Sequence, residues 1–165
     1  MTGIVVFGVS GSGKTTIGRL LATRLAWRFV DGDDLHPPGN VAKMRAGIPL
    51  TDADRRPWLA KVAAVLDQPG DAVVACSALR RAYRELLRTG RSVRLVYLKA
   101  DRTLIEQRLA RRTGHFFPPA LLASQFATLE EPAAEEGALT VNVAAPPAAV
   151  VDQVVRWLTA TAPSN

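Results

Sequence analysis

The sequence predicts an α/β fold in which a parallel sheet is covered by helices on both faces. Three observations predict it. Short apolar runs alternate with helical stretches along the whole chain. The first apolar run passes through a glycine-rich turn straight into the first helix. With 165 residues, 48% hydrophobic and 22% charged, the chain can bury the core of one domain and is too apolar to be disordered.

The elements follow in order. Gly3 to Phe7 is a short apolar run ending at Gly8, which reads as a buried strand. Lys14 to Trp27 carries Ile17, Leu20, Leu21 and Leu25 on one stripe, with Arg19, Thr23 and Arg24 off it, and reads as an amphipathic helix. Arg28 to Asp31 is a short strand. Pro37 to Gly47 and Thr51 to Asp67 read as helices, the second opening with Thr51 as N-cap and Asp54 three residues on. Ala72 to Cys76 is another buried strand, and Arg80 to Arg88 a basic helix stopped by Gly90. Val93 to Lys99 is a strand, Thr103 to Arg112 and Pro118 to Thr128 are helices, Leu139 to Val143 is the last strand and Pro147 to Thr159 the last helix. In such a sheet ligands bind at the carboxyl ends of the strands, and every motif below falls on such an end.

Composition narrows the partners. A formal charge of +6 and a pI near 10.2 favour anionic ligands. No block of like charges and no interleaving of aromatic with basic residues marks a nucleic-acid surface. No run of about 18 apolar residues predicts a membrane span, and the opening MTGIVVFG lacks the basic start of a signal peptide. Cys76 is the single cysteine, so no internal disulfide and no cysteine-built zinc site is expected, and the setting reads as reducing and cytoplasmic. The two histidines, His36 and His115, do not make a zinc site by themselves.

Gly8-Val9-Ser10-Gly11-Ser12-Gly13-Lys14-Thr15 fits G-x-x-x-x-G-K-[ST] without a mismatch. The glycines let successive backbone N–H groups turn inward on phosphate oxygens, Lys14 supplies charge to the β- and γ-phosphates, and Thr15 offers a hydroxyl to Mg²⁺. The helix that starts here aims its positive end at the same anion. Thr16 stands where a dinucleotide fingerprint would need a third glycine, and the GTPase motif N-K-x-D is absent. A nucleoside triphosphate is thus the expected ligand of Gly8 through Thr16. The strand from Ala72 ends at Ser77 with no acid, so the metal leans on Thr15, phosphate oxygens, water and Asp31, a pattern that suits a small-molecule kinase.

Asp31-Gly32-Asp33-Asp34 follows the second strand. Phosphoryl transfer to an alcohol needs positioning, charge neutralisation and an acceptor for the hydroxyl proton. Asp31 and Asp33 are two apart, which on extended chain puts both on one side. Asp33 is the candidate proton acceptor, and Asp34 reads as a helix-capping acid.

Further residues carry a family resemblance. The phosphate loop, Asp31-Gly32-Asp33, Leu35-His36-Pro37, Asn40, Lys43-Met44, Gly47, Pro49-Leu50, Asp52, Asp54-Arg55, Pro57-Trp58-Leu59, Cys76-Ser77-Ala78-Leu79, Tyr83-Arg84, Gly114-His115-Phe116, Ser124-Gln125-Phe126 and Leu129-Glu130 together resemble the gluconate kinase (gluconokinase) family. The likeness runs from about residue 4 to residue 132. It implies a fold related to shikimate and nucleoside monophosphate kinases, with a five-stranded parallel sheet and a mobile lid at about residues 108–128 in one domain over 1–165. It also implies ATP- and Mg²⁺-dependent phosphorylation of D-gluconate at its 6-hydroxyl by a homodimer. By this likeness His36 lies near the sugar acid, His115 lies on the lid, and Gln125 joins the substrate-binding set. The chain departs at Arg80, where the family usually has lysine; the charge survives but the geometry differs.

The chemistry of the substrate points the same way. A linear polyol acid calls for an arginine fork on its carboxylate and short polar groups on its hydroxyls. Arg55 is the first candidate for the carboxylate, with Ser77 and Arg80 at the next strand end facing the same cleft. Arg108 and Arg112, four apart and therefore on one helical face, are candidate catalytic groups over the transferring phosphoryl, while Arg111 points away. Closure of a lid there would also exclude water. The loop from Val143 to Pro146 is the expected adenine site, with little in it to choose between ATP and GTP. A kinase of another small hydroxy acid such as shikimate is the alternative; it lacks the His-Pro step and the C-S-A-L strand end.

Overall fold

A computed structural model describes residues 1–112 and 117–162. Five strands form one parallel sheet: β1 (Gly3–Phe7), β2 (Arg28–Asp31), β3 (Ala72–Ala75), β4 (Val93–Lys99) and β5 (Leu139–Asn142), in the order β2-β3-β1-β4-β5. Every pairing is parallel. β1 lies at the centre, with Val5 beside Val74 of β3 on one side and Leu95 of β4 on the other.

Alternation along β1 divides the core. Ile4 and Val6 face α1 (Lys14–Leu25) and α7 (Pro147–Ala160), packing with Ile17, Leu21, Val150 and Val154. Val5 and Phe7 face the other way, onto Trp58, Leu59 and Val62 of α3 (Asp52–Leu66) and Leu87 of α4 (Arg81–Arg88). Covered on both faces, β1 and β3 read as continuous apolar runs because no residue in them meets water. The remaining helices are α2 (Pro38–Arg45), α5 (Arg102–Ala110) and α6 (Pro119–Thr128). The last two pack Ile105 and Leu122 against Val9 and Leu79, over the strand ends.

The structure matches each expected element and shifts several ends. α1 stops at Leu25, not Trp27, because Ala26 takes a left-handed φ of 56° and its N–H returns to Ala22 and Thr23. An alanine gives little sign of a left-handed cap. α5 ends at Ala110, two residues before Arg112. α3 opens on the expected capping box, with Thr51 Oγ1 accepting from the Asp54 N–H at 3.1 Å and Asp54 Oδ2 accepting from the Thr51 N–H at 3.0 Å. The acidic run after β2 is not extended. Gly32–Leu35 is a 3-10 turn, capped by Asp31, whose carboxylate accepts the Asp33 N–H at 3.0 Å.

Candidate active site

The phosphate loop leaves the carboxyl end of the central strand β1, which lies between β3 and β4, where the order of the strand connections reverses. Gly11 and Gly13 adopt φ of 80° and 95°, the left-handed region that favours glycine, and a Cβ at Gly11 would crowd Ile105 at 3.2 Å and Leu109 at 3.3 Å. Val9 and Ser12 are buried beneath the loop. Ser10, Gly11, Gly13, Lys14, Thr15 and Thr16 instead line a cavity of about 200 Å³ with Asp33, Arg112 and Phe117. Lys14 Nζ donates to the Gly8 and Val9 carbonyls at 3.0 and 3.1 Å, so the ammonium is held along the loop's own backbone. Burial pushes its pKa down, and Asp33 works against that shift.

Thr15 Oγ1 donates to Asp31 Oδ2 at 2.9 Å, which brings the two expected metal-binding residues together from α1 and β2. Both are hard oxygen donors, as Mg²⁺ requires. The described residues contain no group of three or more His, Cys, Asp or Glu placed to hold a metal, so an ion here would take its other ligands from phosphate and water.

A second cleft, of about 170 Å³, adjoins the first. Its walls include Asp33, His36, Arg55, Trp58, Ser77, Ser124 and Gln125, and it shares Ser10, Lys14, Asp33 and Phe117 with the phosphate cavity. Asp33 therefore stands at the junction. It reaches that place from a 3-10 turn and not from the extended chain the sequence suggested, because the Asp31 carboxylate folds the turn back.

Arg55 donates to the Tyr83 hydroxyl at 3.2 Å, and that hydroxyl donates to Asp52. The bond from Tyr83, with Arg80 nearby, holds the Asp52 carboxyl below the usual range. Arg80 is exposed and lies 3.8 Å from Asp52 Oδ2, outside the lining of the cleft that Ser77 enters. This corrects the expectation that Arg80 faces the cleft: Asp52 draws its guanidinium to the rim. The His36 ring stacks on Trp58 with centroids 4.3 Å apart and planes 12° apart. Burial pushes the His36 pKa down, Asp33 pulls it up, and Arg55 adds to the lowering.

Arg108 and Arg112 diverge. Arg112 borders the phosphate cavity. Arg108 donates to the Val143 carbonyl at 2.5 Å, and with Arg112 it lines a space of about 350 Å³ bounded by Gly11, Thr16, Ala145 and Pro147. That space lies along the 143–146 loop, where adenine is expected, and Arg108, held on the Val143 carbonyl, does not border the phosphate cavity. His115 lies outside the described residues. A roomier cavity of about 460 Å³ between α5 and α6 reaches neither Lys14 nor Asp33 and shares only Arg112 and Phe117 with the phosphate cavity.

Three arrangements escaped the sequence. Gln125 binds Ser10 of the phosphate loop across 115 positions. Tyr83 joins Asp52 to Arg55. Trp58, fixed by its Nε1 donating to the Gly32 carbonyl at 2.7 Å, supports His36. Local spacing carries no sign of these, because each joins distant elements.

A phosphate loop at the central strand, an acid where two cavities meet and a polar cleft beside it define a P-loop kinase of a small molecule. A family model described as shikimate kinase matches residues 10–158. The gluconokinase of Gluconobacter oxydans (strain 621H) is 48% identical, over 93% of this chain and 89% of that protein. The thermoresistant gluconokinase of Escherichia coli (strain K12) is 45% identical, over 92% of this chain and 90% of that one. A crystal structure of a gluconokinase from Sinorhizobium meliloti 1021 superposes with a TM-score of 0.91 at 44% identity, covering 98% of this chain and 93% of that one. The chain belongs to the gluconokinase family, among the P-loop kinases that the shikimate kinase model describes.

Proposed function

We propose that this protein transfers the γ-phosphoryl group of ATP to the 6-hydroxyl of D-gluconate, giving 6-phospho-D-gluconate and ADP. The observation that carries the reading is the junction: Lys14 and Asp33 line both the phosphate cavity and the adjoining polar cleft, so a phosphate on one side meets a hydroxyl on the other. The hydroxyl oxygen bonds to the γ-phosphorus as the bond to the ADP oxygen breaks, and the Asp33 carboxylate accepts the departing proton. Lys14 and the loop amides carry the phosphate charge, and Arg112 offsets charge on the equatorial oxygens. Arg55 takes the gluconate carboxylate, and His36, Ser77 and the polar groups of α6 meet its hydroxyls. Thr15 and Asp31 would hold Mg²⁺, which neutralises phosphate charge when bound.

The lid at about residues 108–128, the single domain over 1–165, the homodimer and the cytoplasmic location are part of this proposal. The buried, single Cys76 supports a reducing setting, and no helix of the described residues is long and apolar enough to cross a membrane. A panel of sugar acids and shikimate with ATP and Mg²⁺, read by ADP release, tests the function. Turnover with gluconate is expected; turnover with shikimate and none with gluconate overturns it. Light scattering on the eluted protein tests the dimer.

A further inference from the structure

We propose that Asn40 locks His36 as a neutral ring with its proton on Nε2, making His36 a fixed hydrogen-bond donor to the substrate and excluding it as the proton acceptor. The proposal rests on the reading of the polar cleft as the substrate site, and it makes Asn40 a positioning residue.

The lock is built from three directions. Asn40, on α2, is buried, and its amide nitrogen lies 2.9 Å from the Asp54 backbone carbonyl and 3.2 Å from His36 Nδ1. A carbonyl oxygen only accepts, so the nitrogen of the amide, not its oxygen, has to face Asp54. An amide nitrogen only donates, so Nδ1 has to accept, and a neutral imidazole then carries its proton on Nε2. Asp54 is itself anchored, by the Thr51 capping box and by Lys43 Nζ at 2.8 Å. Stacking on Trp58 sets the ring plane.

Charging the ring would put a second N–H against the Asn40 amide. The charged groups around His36 are Asp33 on its own turn, Arg55 on α3 and Lys14 across the cleft. Asp33 favours the imidazolium and Arg55 opposes it, while burial opposes it most. With Nδ1 engaged by α2, the Nε2 edge is left for the cleft. It donates to a substrate oxygen and has no lone pair to receive a proton. The acceptor role therefore falls to Asp33.

The test has a spectroscopic and a kinetic arm. Two-bond ¹H–¹⁵N spectra of protein labelled at histidine, with the His36 signals assigned through their loss in His36→Gln, should show the Nε2–H form unchanged from about pH 6 to pH 8. Asn40→Asp should move the proton to Nδ1 and introduce a titration in that range. A wild-type His36 that is Nδ1-protonated or charged at neutral pH overturns the lock. In kinetics, His36→Gln keeps an N–H donor at the Nε2 position without basicity. It should hold the gluconate KM within about threefold, where His36→Ala raises it about tenfold, the loss of one hydrogen bond to substrate. Equal damage in both variants overturns the donor role. Absence of gluconate turnover by the wild type would sink the substrate reading alone, since the spectra decide the tautomer without substrate.

Discussion

Gln125 holds Ser10 at two points: its Oε1 accepts the Ser10 backbone N–H at 2.7 Å, and its Nε2 donates to the Ser10 hydroxyl at 2.9 Å. The phosphate loop follows β1 and Gln125 lies on α6, so one amide ties the loop to a wall of the polar cleft. A loop that must present its amides to phosphate benefits from such a tie, because disorder in it would otherwise have to be removed on binding.

Gln125→Ala removes both bonds, a loss of about 1–3 kcal/mol together. The KM for ATP should rise about five- to hundredfold, and gluconate binding should weaken as well because the same side chain borders its cleft. An unchanged KM for ATP, measured by initial rates, would sink the clamp.

Lys14→Met should abolish transfer and leave the melting temperature equal or higher. Burial disfavours the charged form of the Lys14 amine, a cost to the fold that the apolar replacement removes. Near-wild-type turnover in the folded variant would refute the assignment of Lys14 to phosphate charge.

Arg55→Ala should raise the gluconate KM about ten- to hundredfold and that of ATP far less, the loss of a charge-assisted contact worth about 1.5–3 kcal/mol. Tyr83→Phe, which removes the hydroxyl between Arg55 and Asp52, should give a smaller rise of the same kind. If Arg55→Ala leaves the gluconate KM alone, Arg80 at the rim becomes the carboxylate contact.

Asp33→Asn keeps the size of the side chain and removes its capacity to take a proton. Its kcat should fall by about 10²–10⁴ with ATP affinity nearly intact. Asp31→Asn should instead raise the Mg²⁺ concentration needed for half-maximal rate, since Asp31 accepts from the Thr15 hydroxyl. Retention of more than about a tenth of kcat by Asp33→Asn would remove it as the proton acceptor.

The last prediction concerns the support behind Ser77. Arg84 is fully buried and donates to both carboxylate oxygens of Glu136, at 2.7 and 3.1 Å, and to the Ala78 carbonyl at 3.0 Å. Ala78 has a left-handed φ of 36°, so this bond secures a costly backbone turn next to Ser77. Burial alone would push the Glu136 carboxyl up, but Arg84 and the Ala133 N–H outweigh it and hold it below the usual value. A carboxyl lowered in the folded state stabilises above its unfolded pKa, and that stability is lost as pH falls from about 4.5 through the folded value. Glu136→Ala leaves a buried guanidinium unpaired and should cost about 3–5 kcal/mol at neutral pH. Melts at pH 3 and pH 7 should show the gap between variant and wild type narrowing in acid. A constant gap would mean the pair contributes nothing to the pH dependence.

The sequence by itself determined the parallel sheet and the phosphate loop, with Lys14 and Thr15 at the loop's end. Each of these depends on neighbours in the chain: short unbroken apolar runs such as β1, helical spacing in α1, and glycines at fixed offsets in one turn. The Thr51 capping box was legible for the same reason. The tertiary structure decided what depends on distant neighbours. It alone shows Asp31 turning Asp33 back to the junction, Asp52 drawing Arg80 to the rim, Arg108 resting on Val143, and Asn40 fixing the His36 ring. The physical reason is the direction of side chains. Spacing along a strand or helix states which face a residue occupies, but hydrogen bonds and ion pairs from other elements select where its polar end goes.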